Sequence, residues 1–168
     1  MSLLLALFAL SSVASPVARD KPVGQEQPSV FPASNIDRPP RYTPVGTDFV
    51  ITNGTEFFNR PLYCLNSTFH VEGGDKPESS VYLPGRDGNL RFGIKISADV
   101  KWLNAADKII ARYRPGLMVY EIQDALLAGG KLDLTVLPLR ETKGMIARVG
   151  LRGTRLPVEL LSAFGARK

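Results

Sequence analysis

The stretch Asn59–Gly93, NRPLYCLNSTFHVEGGDKPESSVYLPGRDGNLRFG, decides the fold. Three short runs of β-type, Thr68–Glu72, Ser79–Leu83 and Asn89–Lys95, are separated by two clusters of turn residues, Gly73-Gly74-Asp75-Lys76-Pro77 and Pro84-Gly85-Arg86-Asp87-Gly88. Charged residues sit in or beside those turns. The stretch therefore reads as a sheet carrying polar loops, which is how binding surfaces are commonly built.

The same grammar continues on both sides. Phe49–Thr52 and Thr55–Phe58 flank Asn53-Gly54, a pair that favours positive φ at both positions, so a hairpin is predicted there. Ile109–Arg114 and Leu117–Gln123 flank Pro115-Gly116. Within them Met118, Tyr120 and Ile122 alternate with Val119, Glu121 and Gln123, and Tyr113 stands between Arg112 and Arg114, which predicts a second hairpin. Leu132, Leu134, Val136 and Leu139 share a segment with Asp133 and Thr135, and Met145–Leu151 and Val158–Phe164 follow, each after a Gly or Pro break. Helical spacing is confined to one short turn near Trp102, between Asp99 and Ala106. The fold class that follows is all-β: a mostly antiparallel β-sandwich of about ten strands.

Composition fits one domain. The 168 residues are 44% apolar and 22% charged, enough to bury a core, and 13 prolines with 15 glycines suit a turn-rich sheet protein. The net charge of +5 is uneven: from Lys101 onward 12 Lys/Arg stand against 6 Asp/Glu, and before it 9 stand against 10. The basic residues are spread singly along alternating strands rather than clustered with aromatics, so they read as a solvated surface and no nucleic-acid partner is expected.

Three segments are predicted. Residues 1–18 read as a signal peptide: Leu3–Leu10 is an apolar run too short to span a bilayer, and Ala14 or Ala18 offers a small-residue cleavage site, although no basic residue precedes the run. Residues 19–47, with six prolines from Pro22 to Pro44, read as an extended leader or linker. Residues 48–168 form the sandwich, with the ordered domain beginning near Asp48. The protein is thus expected to be secreted or periplasmic, with no membrane attachment after cleavage. Asn53-Gly54-Thr55 and Asn66-Ser67-Thr68 match the glycosylation pattern, but the first is already explained as a turn.

Catalytic and metal motifs are sparse. One histidine, His70, and one cysteine, Cys64, do not make a metal site, and His70 reads as a surface or partly packed imidazole between Phe69 and Val71. Cys64 has no base beside it in sequence and reads as a structural thiol. No cofactor is expected, since Gly73-Gly74 and Gly129-Gly130 are turn glycines rather than a phosphate loop. Paired carboxylates remain: Asp75 and Glu78 share a loop, and Glu121 or Asp124 could approach them, but two acids in a turn are ordinarily solvated. The candidate contacts for a carbohydrate or a neighbouring domain are Asn59, Arg60, Asn66, Asp75, Glu78, Arg86, Asn89 and Arg91, polar residues at turns and strand ends of one stretch. They would act together if the loops Gly73–Glu78 and Pro84–Asn89 met at one end of the sandwich. Their structural alternative is to satisfy turn backbones, with Arg60 or Arg91 pairing with Glu72 or Asp75.

The segments Phe58–Tyr63, Val71–Glu78, Tyr82–Arg86, Gly88–Gly93, Ala111–Gly116 with Tyr120-Glu121-Ile122, and Val158–Leu161 with Ala163-Phe164-Gly165 resemble the bacterial family known as domain of unknown function 4450 (DUF4450). The resemblance runs from about Tyr42 to Gly165. It implies an N-terminal β-sandwich of large exported proteins, many from Bacteroidetes, in which a six-hairpin (α/α)6 glycosidase-like region follows and acts on polysaccharide. That region would be the domain's partner. Cys64 departs from the family, which is expected to carry glycine there. The sequence ends at Lys168, where relatives continue, so a truncated reading frame or a separated module is expected. The resulting expectation is a non-catalytic accessory domain of a polysaccharide-degrading enzyme. The alternatives are a free-standing carbohydrate-binding or surface interaction module, and an enzyme using Asp75, Glu78 or Glu121.

Overall fold

Alternation along the longest strands determines how the chain closes. In Leu117–Gln123 and Lys131–Pro138 every second side chain is buried, so Met118, Tyr120, Ile122, Leu132, Leu134 and Val136 form one continuous apolar layer. A single such layer must be covered, and a second sheet supplies Leu62, Val71, Phe92, Ile94 and Ile96 from its inner face. The computed structural model describes residues 40–63, 68–85 and 87–166. The apolar run read as a signal, most of the leader, Cys64, Asn66 and Arg86 lie outside the described residues.

Twelve strands are described: β1 (Thr43–Val45), β2 (Asp48–Thr52), β3 (Arg60–Tyr63), β4 (His70–Gly73), β5 (Glu78–Tyr82), β6 (Gly88–Ile96), β7 (Asp99–Trp102), β8 (Lys108–Arg114), β9 (Leu117–Gln123), β10 (Lys131–Pro138), β11 (Met145–Arg152) and β12 (Glu159–Ala166). The first sheet runs β1-β2-β8-β9-β10-β11 and the second β12-β6-β5-β4-β3, all antiparallel. β12 pairs with β6 from Gly88 to Lys95, so β5 and β7 share the opposite edge of β6, β5 at Gly88–Arg91 and β7 at Gly93–Ile96. The protein is therefore an all-β sandwich. Among the described residues it has no α-helix, only 3-10 turns at Leu103–Ala105 and Ala125–Leu127.

The Pro115-Gly116 hairpin forms as β8–β9, with φ of +87° at Gly116, the conformation that the third position of a type II turn demands. The Asn53-Gly54 hairpin does not form. Asn53 takes φ of +50° but Gly54 is not in the left-handed region, and Thr55–Phe58 is not a strand. The reason is a competing partner: Asn53 Oδ1 accepts from the Ile109 N–H at 2.8 Å, and the Asn53 N–H donates to the Ile109 carbonyl at 2.8 Å, so the chain end of β2 is tied to β8. The short turn near Trp102 is displaced. Asp99–Trp102 pairs with β6 as a strand, and the turn begins at Leu103. Nor does the sheet wait for Asp48. β1 lies inside the proline-rich segment and Tyr42 before it is buried, because Pro44 occupies an edge strand, where a missing N–H disrupts nothing.

Candidate functional site

Asp75 is the most tightly held of the residues singled out from sequence. Its side chain is fully buried. The Tyr42 hydroxyl donates to Asp75 Oδ1, Arg41 donates to Oδ2 at 2.5 Å, and the Glu56 N–H donates to Oδ2 at 3.0 Å, while the Asp75 N–H returns a bond to the Glu56 carbonyl at 2.9 Å. Burial pushes the Asp75 carboxyl up, but the Tyr42 and Glu56 donors and the Arg41 charge outweigh it and hold the group below its ordinary range. Burial, followed by the bond to Asp75, pushes the Tyr42 hydroxyl up to about 12. Gly54 exists for this cluster: a Cβ there would lie 2.4 Å from Asp75 Oδ2 and 2.5 Å from Cγ. Below the carboxylate the Gly74 backbone is closed by Tyr120, whose hydroxyl donates to the Gly74 carbonyl at 3.0 Å and accepts from its N–H at 3.3 Å.

Around this knot Asn59, Arg60, Glu78 and Arg91 make contacts of their own. Arg60 lies over the Tyr42 ring at 4.5 Å and the Tyr113 ring at 5.6 Å and donates to the Asn59 carbonyl, while Asn59 donates to Glu56 at 2.7 Å. Glu78 is buried and accepts from Asn104 at 2.9 Å, and Arg91 lies over Trp102 at 5.4 Å. The pairing of Arg60 or Arg91 with Glu72 or Asp75 is not what forms. Arg41 takes Asp75 instead, because it extends from the segment just before β1 that covers this end.

The six candidates among the described residues do not form one cluster. β4, β5 and β6 are a meander, so the Gly73–Glu78 and Pro84–Asn89 loops fall at opposite ends of β5 rather than meeting. Asn59, Arg60, Asp75 and Glu78 gather at one end, with Arg91 in register with Glu78, and Asn89 lies two residues along β6, opposite Ser80; among the described residues Asn59 Oδ1 and Asn89 Oδ1 have no hydrogen-bond partner. Glu121 does not approach Asp75. It projects from the outer face of the first sheet, where Lys131 at 2.8 Å and Gln123 at 2.9 Å hold it below its ordinary range. Asp124 binds Lys101 at 2.6 Å and caps the second 3-10 turn. Among the described residues no group of three His, Cys, Asp or Glu is arranged to hold a metal ion.

Three surface features were not visible as sites in the sequence. On the outer face of the second sheet Tyr63, His70 and Tyr82 are in register across β3, β4 and β5, with ring centroids 5.3 and 4.6 Å apart, and His70 Nε2 lies 3.3 Å from Glu72. Tyr63 is 66% exposed and Tyr82 38%. At the far edge of that sheet β12 pairs Leu160 with Ile94 and Phe164 with Leu90, which places both on the core side, yet they are 47% and 63% exposed. The Phe164 ring lies across Gly88, where a Cβ would come within 2.2 Å of it. On the outer face of the first sheet a recess of about 340 Å3 is lined by Asp133, Thr135, Arg148, Gly150 and Arg152. Each depends on which strands become neighbours, a fact carried by no local stretch of sequence.

No curated protein and no solved structure matches the chain. One family model does, over residues 83–168, half of the 168 residues, reaching from the end of β5 through β12 and so containing the β8–β11 meander and the exposed C-terminal strand. The chain belongs to the family described as domain of unknown function DUF4450.

Proposed function

We propose that this protein is a non-catalytic accessory β-sandwich of a secreted, polysaccharide-degrading, glycoside hydrolase-like protein, and that it docks against an (α/α)6 catalytic domain. The observation that carries the reading is β12. Leu160 and Phe164 extend the core face of the second sheet beyond the cover of the first, leaving 47% and 63% of them in solvent. Apolar surface contiguous with a core and left open is characteristic of a docking face. The acids add to this reading. Asp75 and Glu78 are buried in internal hydrogen bonds and Glu121 is held by Lys131, so none stands opposite another across an open cleft as a glycosidase pair does.

The test is binding in trans. The 168-residue chain is titrated calorimetrically with the (α/α)6 region of a complete DUF4450 relative, before and after L160D/F164D. Wild-type binding that weakens at least tenfold in the variant, with unchanged thermal unfolding, is the expected result. No binding by the wild type, or equal binding by both, overturns the docking role.

A second reading, a carbohydrate-binding module, is favoured by the Tyr63–His70–Tyr82 row. Sugar rings stack on aromatic faces, and Tyr63 on the edge strand β3 has its outer side open. Under this reading Tyr63→Ala lowers retention on an insoluble glycan while leaving the docking titration unchanged.

A further inference from the structure

The recess on the outer face of the first sheet is built by an absence. On β11 the residues facing outward are Ile146, Arg148, Gly150 and Arg152, set opposite Leu137, Thr135, Asp133 and Lys131 of β10. Glycine inside a strand is destabilising and is ordinarily explained by a positive φ or by a backbone or side chain that approaches too closely for a Cβ. Gly150 has neither. Its φ is not in the left-handed region, and a Cβ there would meet nothing within 4 Å. What glycine does at this position is keep a recess of about 340 Å3 open between two arginines, at the lower end of the roughly 300–1,000 Å3 range of small-molecule sites.

The two arginines are not equivalent. Arg152 is committed: it donates to Asp133 at 2.5 and 2.7 Å and reaches Glu121 at 3.4 Å, and Lys131 satisfies the same glutamate. Arg148 forms no ion pair or hydrogen bond among the described residues and is exposed. Its guanidinium offers a planar fork of donors suited to a carboxylate, beside a threonine hydroxyl and a carboxylate that is already neutralised. The wall therefore presents one free cation, one hydroxyl at Thr135, and at Asp133 acceptor lone pairs for ligand hydroxyls.

We propose that this recess binds a carboxylate-bearing sugar unit, as in a uronic acid-containing polysaccharide, with the carboxylate on Arg148 and ring hydroxyls toward Thr135 and Asp133. The inference rests on the reading that the domain serves a polysaccharide-degrading protein, and it names the class of polysaccharide. It uses residues of β10 and β11 alone, so it is separable from docking through β12.

The experiment follows backbone amide NMR shifts of the 168-residue chain on titration with trigalacturonate, its fully methyl-esterified form, a sulfated galactose trisaccharide and triglutamate. Trigalacturonate is expected to move the Gly150, Thr135 and Arg148 amides, with affinity at least tenfold above that of the ester. Arg148→Gln, which removes the cation, and Gly150→Val, which fills the recess, should each weaken it at least tenfold with no loss of thermal stability. Failure of trigalacturonate to bind, equal binding of the ester, or full binding by Arg148→Gln overturns the proposal. Tighter binding of the sulfated sugar overturns the carboxylate assignment, and equal binding of triglutamate overturns the sugar. Loss of the acidic-sugar response with intact docking by the wild type removes this inference alone. The converse result removes the docking reading alone.

Discussion

Asp75 and Arg148 are both charged residues on a sheet protein, and the molecule treats them in opposite ways. Around Asp75 the chain brings up Arg41, Tyr42 and the Glu56 N–H, and at Gly54 it leaves out a side chain so that the carboxylate can fit. Around Arg148 no ion pair or hydrogen bond forms among the described residues, and at Gly150 the chain leaves out a side chain that would have fitted. A buried charge must be compensated because desolvation costs more than folding can spare, whereas an exposed one need not be. A missing side chain next to the first is structural. A missing side chain next to the second is free to serve a ligand.

The sharpest way to break this comparison is Asp75→Ala. It leaves the Tyr42 hydroxyl and the Glu56 N–H without an acceptor and Arg41 without its buried partner, and it should cost about 3 kcal/mol, the lower part of the range for severing a buried pair. Urea unfolding measures it, and a loss under about 1 kcal/mol would mean that the knot is not a unit. Next come the two glycines. Gly54→Ala meets the Asp75 carboxylate and should cost about 2 kcal/mol or more, whereas Gly150→Ala should lie between neutral and about 1 kcal/mol stabilising. Equal effects would erase the distinction between them.

The pH dependence probes the Asp75 region from both its acid and its alkaline side. Tyr42 has a folded pKa raised to about 12, so its contribution is complete below pH 10 and lost as pH rises from there through about 12. Asp75 has a folded pKa below its ordinary value of 3.8, so its contribution is present above that value and lost as pH falls beneath it. Chemical denaturation across pH should show both slopes, and Tyr42→Phe should reduce the alkaline one, to which the buried Tyr120 hydroxyl, also pushed up by burial, contributes the rest. Tyr120→Phe, which strips the Gly74 backbone of its buried partner, should cost about 1–2 kcal/mol. The smallest effect belongs to Arg148→Gln, within about 0.5 kcal/mol of wild type, as for surface substitutions generally.

Much of the fold was legible because it depends on local alternation and turn chemistry. The β8–β9 hairpin, the buried stripe Met118-Tyr120-Ile122 and the segment Leu132–Val136 could be read directly, since a period of two needs only the residues themselves. The Asn53-Gly54 hairpin misled for a reason of the same kind turned around: the local signal was real, but Asn53 found a stronger partner 56 residues away at Ile109. The candidate site was less legible. Its residues lie close in sequence, but a meander sends successive loops to opposite ends, so the Gly73–Glu78 and Pro84–Asn89 loops are separated by the pairing that joins β5 to its neighbours.

By itself, then, the sequence determined that this chain is an all-β sandwich with a β8–β9 hairpin, because apolar alternation and turn residues act over a few positions. Only the tertiary structure decided that Asp75 is buried under Arg41 and Tyr42, that Phe164 is left outside on a core-facing strand, and that Gly150 opens a recess beside Arg148. Desolvation, coverage and free volume are properties of neighbours brought from distant parts of the chain, and a period of two says nothing about which strands those will be.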